Sequence, residues 1–167
     1  RHTRCCFVTG VQTCALPIYL KRLVPTTFEQ EAVGDMFGEQ AVLCGGMAAL
    51  IKNGFEVLVD HGVSPENAYL EVAYQLDLII ALIKQHGIKG MFDRISFTAR
   101  YGSLETGPEL IDEGVRARME AVYARIESGE FVSRLAKLGE TEIKTVDDAL
   151  AALTDSRLEG AAKKWRG

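Results

Sequence analysis

The chain has 167 residues, of which 47% are hydrophobic, so it can bury one core and is most simply a single domain. Its formal net charge is -4 and it has no basic block, which argues against nucleic acid as a partner. We find no uninterrupted apolar run of membrane-spanning length, so we expect a soluble, cytoplasmic protein without a membrane partner.

The first stretch, residues 1–18, differs from the rest of the chain. It holds Cys5, Cys6 and Cys14, which at face value suggest a disulfide or metal cluster. However, residues 8–18 (VTGVQTCALPI) resemble the conceptual translation of an adapter oligonucleotide used in short-read DNA sequencing. A targeting peptide is the alternative, but the stretch lacks the apolar core of a secretory signal. We therefore expect residues 1–18 to be non-native and disordered, and a natural N-terminal part to be missing.

A connector over residues 19–32 is expected to lead into a helical domain over residues 33–167. The first long helix is predicted over residues 33–54, with an extension toward residue 61. Gly45 and Gly46 lie inside it, and paired glycines in a helix usually indicate close approach of another element.

A second helix has a clear start signal. Ser64 is a good N-cap, Pro65 suits the first turn and Glu66 complements the helix dipole. The apolar pattern predicts that this helix continues to about His86 and ends at Gly87.

The remaining chain is predicted to be helical with short breaks. The expected elements are a helix over 91–101, a loop over 102–107, a helix over 108–128, a break at Gly129, a short helix over 130–138, a helix capped near 145–148 and a last helix from 154 or 155. Strand-like alternation is absent after residue 30. The predicted fold class is therefore all-α, as one compact helical bundle.

One acidic pair is a candidate metal site. Asp35 and Glu39 are four residues apart, so a helix places both carboxylates on one face. A hard cation such as Mg²⁺ would relieve their repulsion, because it prefers carboxylate oxygen. An exposed acidic face on an ordinary amphipathic helix is the alternative. The uncharged run over residues 41–46 favours burial instead.

Several segments resemble one enzyme family. Residues 35–46 (DMFGEQAVLCGG), after Thr-Thr-Phe at 26–28, are similar to the metal-binding helix of ketol-acid reductoisomerase. Residues 69–80 (YLEVAYQLDLII) resemble the family's second metal helix, and residues 87–102 (GIKGMFDRISFTARYG) its substrate-binding segment. Residues 158–166 resemble its closing segment.

This resemblance covers the chain from about residue 25 onward and implies a fold. The matching part of the family is a knotted, all-helical C-terminal domain, and the family's N-terminal Rossmann domain binds NADPH. No G-x-G-x-x-G motif occurs here, so we expect the NADPH-binding domain to be absent from this chain.

The resemblance also implies chemistry and site residues. In the family, Mg²⁺ assists alkyl migration in a 2-acetohydroxy acid, and NADPH then reduces the product to a 2,3-dihydroxy acid in branched-chain amino-acid biosynthesis. Asp35, Glu39 and Glu71 match catalytic ligands of two Mg²⁺ ions, Gln75 stands at a further ligand position, and Ser96 matches a serine that contacts substrate. A homodimer with shared active sites is implied as well.

Three positions depart from the family pattern. Gln75 stands in place of a glutamate, and its amide oxygen can bind Mg²⁺ but brings no charge. Arg100 replaces an acid, and Phe97 replaces a polar residue. These departures leave open a different acetohydroxy acid as the substrate.

Two other classes of function compete with the enzyme hypothesis. A diverged, non-catalytic helical dimerisation module is the main alternative, and Gln75 and Arg100 favour it. A di-iron carboxylate bundle would need Glu-x-x-His pairs, which neither His61 nor His86 completes. We therefore expect at most an enzyme fragment that does not reduce substrate by itself.

Overall fold

The structure is a computed structural model that describes residues 6–8, 11–13, 25–153 and 156–166. Two short strands, β1 (Cys6–Val8) and β2 (Val11–Thr13), pair antiparallel in the segment for which the sequence predicts disorder. Most of residues 1–24 lie outside the described residues, so the adapter origin of residues 1–18 stays a prediction.

Every described element after the strands is helical, which confirms the all-α fold class. The elements are α1 (Phe28–Gly38), the π-helical turn π1 (Glu39–Leu43), α2 (Gly45–Asp60), α3 (Pro65–Tyr69), the π-helical turn π2 (Leu70–Tyr74), α4 (Leu76–Phe92), α5 (Phe97–Leu110), α6 (Glu113–Glu127), α7 (Glu130–Leu135), α8 (Glu140–Leu153) and α9 (Ser156–Trp165).

The first helix begins earlier than the sequence predicts. Thr27 is extended and its hydroxyl oxygen accepts from the backbone N–H of Gln30, while the Gln30 side chain accepts from the backbone N–H of Thr27. This reciprocal capping fixes the helix start at Phe28. The connector predicted over residues 19–32 is therefore too long, and residue 33 is not the start of the helical domain.

Two turns of π-helix interrupt the helices that the apolar pattern predicts. In π1 the backbone N–H of Cys44 donates to the carbonyl of Glu39, 2.9 Å away, five residues back. A Cβ on Gly45 would lie 2.2 Å from the Gln40 carbonyl oxygen, and one on Gly46 would lie 2.1 Å from that of Ala41. The paired glycines therefore leave room for the backbone of their own helix, and the approach of another element to them stays a prediction.

The helix boundaries after residue 86 differ from the prediction. Gly87 leaves helical geometry at a φ of 72°, which confirms the predicted break and kinks α4. The helix predicted over 91–101 and the loop predicted over 102–107 are both wrong. Instead Ser96 caps α5, which runs through those glycines and includes Pro108 in its last turn. Asp112 then caps α6, and Gly129 ends it near the predicted position.

The buried core is small and lies where α2, α3 and α9 meet. Phe55, Ala68 and Ala161 form its centre, and Val72 and Leu158 pack around them. Phe55 is the one large side chain that is completely buried among the described residues. A docked C-terminal helix therefore completes this core.

Much apolar surface stays exposed on the helices outside this core. Large exposed side chains include Phe28, Val42, Leu43, Leu50, Val57, Leu78, Ile80, Phe97, Tyr101, Leu104, Leu110, Ile143, Val146 and Leu150. Where such side chains lie next to each other, as Val42 and Leu43 do, they can form an interaction surface.

The helical stretch from Phe28 to Asp60 is long and apolar enough to cross a membrane, by length and composition alone. The expectation that no run reaches that length is wrong for this stretch. One such helix is weak support for a membrane span, because helices of soluble proteins pass the same test.

Candidate metal-binding carboxylates

The first candidate pair lies at the junction of α1 and π1. The backbone N–H of Glu39 donates to the carbonyl of Asp35, so the chain between them follows the α-helical pattern. That geometry puts the two carboxylates one turn apart on the same face, as the spacing predicts. Both side chains are exposed, contrary to the burial indicated by the neighbouring apolar run.

Neither carboxylate of this pair is engaged within the part of the chain that the structure describes. The ion pairs and side-chain hydrogen bonds found there involve other residues, and neither Asp35 nor Glu39 takes part in them. Two like charges thus face solvent about one helical turn apart. That arrangement offers oxygen ligands to a hard cation, so the chemistry of the donor set fits Mg²⁺.

The second candidate pair lies on and just after π2. The amide nitrogen of Gln75 donates to a carboxylate oxygen of Glu71 at 3.0 Å. Glu71 is exposed and Gln75 is half-buried. The amide of Gln75 is therefore a hydrogen-bond partner of the Glu71 carboxylate.

The two pairs do not combine into one site in a single chain. Among the described residues, the structure contains no group of three or more His, Cys, Asp or Glu side chains able to hold a metal ion. Each pair therefore offers only part of the oxygen ligand set that Mg²⁺ takes.

Ser96 has a structural role in this structure. Its hydroxyl oxygen accepts from the backbone N–H of Ala99 at 3.1 Å and caps α5. The hydroxyl hydrogen is not used by that bond, so Ser96 can still donate to a ligand. Its side chain is exposed.

The two unusual residues next to Ser96 contact each other. The Arg100 guanidinium lies over the Phe97 ring, 6.0 Å from its centroid, and pairs with Asp93 at 3.7 Å. Hydrogen bonding from Lys89 holds the pKa of the Asp93 carboxyl below its usual range, and the charges of Lys89 and Arg100 lower it further. Arg100 is thus partly neutralised by an acid of its own chain.

The sequence predicts Trp165 as a packing anchor, but it does not predict the partners of Lys164 and Trp165 beside the second pair. Lys164 pairs with Glu66, and the Trp165 indole packs on Tyr74 with ring centroids 4.8 Å apart. These contacts join residues 91–98 positions apart, so no local spacing signals them. The only signal is the amphipathic pattern of α9, which places Trp165 on its packed face.

Three comparisons relate the chain to known proteins. The family described as "Ketol-acid reductoisomerase, C-terminal domain" matches residues 28–167. The chain is 44% identical over 144 residues to a "Ketol-acid reductoisomerase (NADP(+))" of Corynebacterium urealyticum, and 44% identical over 147 residues to the protein of that name in Rhodococcus opacus. In both cases the match covers 86% of this chain and 43% of the relative.

A solved structure shows the same fold. It is described as an NADH-preferring ketol-acid reductoisomerase from an uncultured archean, and it matches with a TM-score of 0.78 and 39% sequence identity. The match covers 84% of this chain and 43% of that one. The chain therefore spans less than half the length of these relatives.

Proposed function

The chain belongs to the ketol-acid reductoisomerase family through that family's C-terminal domain, and we propose that it supplies the Mg²⁺-binding, catalytic part of such an enzyme. The proposed overall reaction converts a 2-acetohydroxy acid to a 2,3-dihydroxy acid in branched-chain amino-acid biosynthesis, in the cytoplasm. NADPH would bind to a part of the enzyme outside this chain.

The observation that carries this proposal is the Asp35 and Glu39 pair. Two exposed carboxylates on one helical face, without a cation from the described residues between them, suit a hard divalent ion. Glu71 provides a further carboxylate on the second metal helix, and Gln75 donates a hydrogen bond to it.

The residues have distinct tasks in this proposal. Bound Mg²⁺ would act as a Lewis acid that polarises the ketone oxygen of the substrate. Asp35, Glu39 and Glu71 hold the cations, and Ser96 donates a hydrogen bond to the substrate. Gln75 adds a dipole but no charge, so the ion beside it should be held less tightly than by a second carboxylate.

A homodimer completes the proposed site. Among the described residues of one chain, the Asp35–Glu39 pair and Glu71 do not form a common metal-binding group. The helical segments around them expose apolar side chains such as Val42, Leu43 and Leu78. Pairing two copies through these faces would bury that surface and let the pairs of different subunits meet.

Titration calorimetry of the 167-residue chain with Mg²⁺ tests the proposal. We expect binding by the unmodified chain and a loss of at least tenfold in affinity in Asp35→Ala, because half of an acidic pair is removed. Glu105→Ala is the control, since Glu105 is an equally exposed acid on α5, and it should bind as the unmodified chain does. Equal binding by Asp35→Ala would contradict the proposed ligand.

Two residues support the alternative that this chain is a non-catalytic dimerisation module. Gln75 lacks a charge where a second carboxylate would bind metal, and Arg100 pairs with Asp93. A chain that sediments as a dimer but binds no Mg²⁺, even as Gln75→Glu, would favour this module. Recovery of Mg²⁺ binding in Gln75→Glu would instead favour the metal site.

A further inference from the structure

The last turn of α9 contacts both ends of the segment that contains Glu71. At the start of that segment, Lys164 pairs with Glu66 and the Trp165 indole N–H donates to the Glu66 carbonyl at 3.2 Å. At its end, the Trp165 ring packs on Tyr74 at a tilt of 37°. One helix end therefore spans the whole of α3 and π2.

The segment that it spans is an uncommon conformation. A π-helical turn is rarer than an α-helical one and occurs mostly as a single turn, often at functional sites. In π2 the backbone N–H of Gln75 donates to the carbonyl of Leu70, five residues back, at 3.3 Å. Such turns persist when the surrounding structure holds them in place.

The choice between π and α winding decides where Glu71 points. Each residue of an α-helix advances the chain by about 100° around the axis. A return of π2 to α winding would shift the register between Glu66 and Tyr74 by one residue, and the carboxylate between them would turn with it. Because Trp165 contacts both Glu66 and Tyr74, that shift would break at least one of its contacts.

We propose that Lys164 and Trp165 are positioning residues that hold π2 in its π form and thereby set the Mg²⁺ affinity at Glu71. This inference rests on the proposed metal function. Neither residue is among the proposed ligands of the metal or the substrate; both act through the backbone that presents Glu71. Mutation of such supporting groups typically costs 10–100-fold in metal affinity.

The fluorescence of Trp165 can report whether Mg²⁺ binding at Glu71 affects α9, because Trp165 is the single tryptophan of the chain. We expect Mg²⁺ titration to change the tryptophan emission along the same curve that calorimetry measures, and Glu71→Gln to abolish the emission change. A tryptophan with a packing role alone would keep the same emission throughout the titration.

Variants separate positioning from folding. Trp165→Ala should weaken Mg²⁺ binding about tenfold at a temperature well below its Tm, and Trp165→Phe should weaken it less, because it retains a ring against Tyr74. Lys164→Met removes one exposed ion pair and replaces Trp165→Ala in the test if that variant does not fold. It should weaken Mg²⁺ binding about fivefold. Arg166→Met is the control, because Arg166, directly after α9, pairs with Glu159 of α9 and not with α3 or π2.

The outcomes distinguish this inference from the function on which it rests. Unchanged Mg²⁺ affinity in Trp165→Phe and Lys164→Met, with binding intact in the unmodified chain, would overturn the positioning role and leave the metal site standing. No Mg²⁺ binding by the unmodified chain would overturn both. A lower Tm with unchanged affinity would reduce Trp165 to a packing residue.

Discussion

Replacement of Gly45 by alanine should destabilise this chain, although alanine is the better helix former. The added Cβ would lie 2.2 Å from the carbonyl oxygen of Gln40, where real Cβ contacts stay beyond 3.0 Å. The neighbour is backbone, so it cannot move aside as a flexible side chain would. The π1 turn must therefore distort or rewind, and Glu39 at its start would move with it.

The size of the effect follows from two opposing terms. If bond angles open by about 15° to relieve the contact, the cost is about 4 kcal/mol, and the gain in helix propensity from glycine to alanine is about 1 kcal/mol. The net loss is about 3 kcal/mol, which in a chain of this size lowers Tm by roughly 6–12 °C.

Thermal and urea unfolding of Gly45→Ala beside Gly34→Ala measures this difference. Gly34 is an exposed glycine in the adjoining α1, and a Cβ there meets nothing within 4 Å. Gly34→Ala should therefore stabilise the chain by about 0.5–1 kcal/mol. Equal stabilisation by both substitutions would show that π1 does not form.

Three further outcomes are expected. Phe55→Ala should lower the free energy of unfolding by about 3–5 kcal/mol, because it empties the centre of the core, whereas the exposed Phe97→Ala should cost below about 1 kcal/mol in the same urea titration. Gly87→Ala should cost about 1–3 kcal/mol in that assay, since Gly87 has a φ of 72° and a ψ of 175°, a region that essentially only glycine adopts. The hydrogen bond from Lys164 holds the pKa of Glu66 below its usual range. The stability that this pair adds is present above the ordinary glutamate pKa and is lost as the pH falls through the lowered pKa of Glu66. The free energy of unfolding of Lys164→Met should therefore depend less steeply on pH in the acidic range.

Local signals explain what could be predicted about the fold. The Ser64–Pro65–Glu66 start is confirmed because capping depends only on the next few residues. The break at Gly129 is confirmed for a similar reason, since its φ is 75°. Composition alone does not tell a breaking glycine from a tolerated one: Gly102 stays helical inside α5, and the loop predicted around it is wrong.

The parts that escaped prediction depend on backbone register or on distant contacts. The 3.6-residue pattern cannot reveal π1 or π2, because each inserts one extra residue without changing which side chains are apolar. The acidic spacing locates Asp35 and Glu39 on one face, as the structure shows. Spacing could not foresee that both would be exposed, since exposure depends on which helices pack over them.

The core that α9 completes also affects the order in which parts of this chain fold. The contact between Lys164 and Glu66 joins residues 98 positions apart. The chain must therefore lose the conformational entropy of closing this loop before the contacts of the core can stabilise it. Docking of α9 should therefore be a late and slow event, after the intervening helices have formed. The segment between Glu66 and Lys164 includes α7 and α8. Lengthening it there should cost little stability, because doubling the length of a closed loop costs only about 0.6 kcal/mol. Insertions should therefore be tolerated there far better than any change in the ten residues of α9.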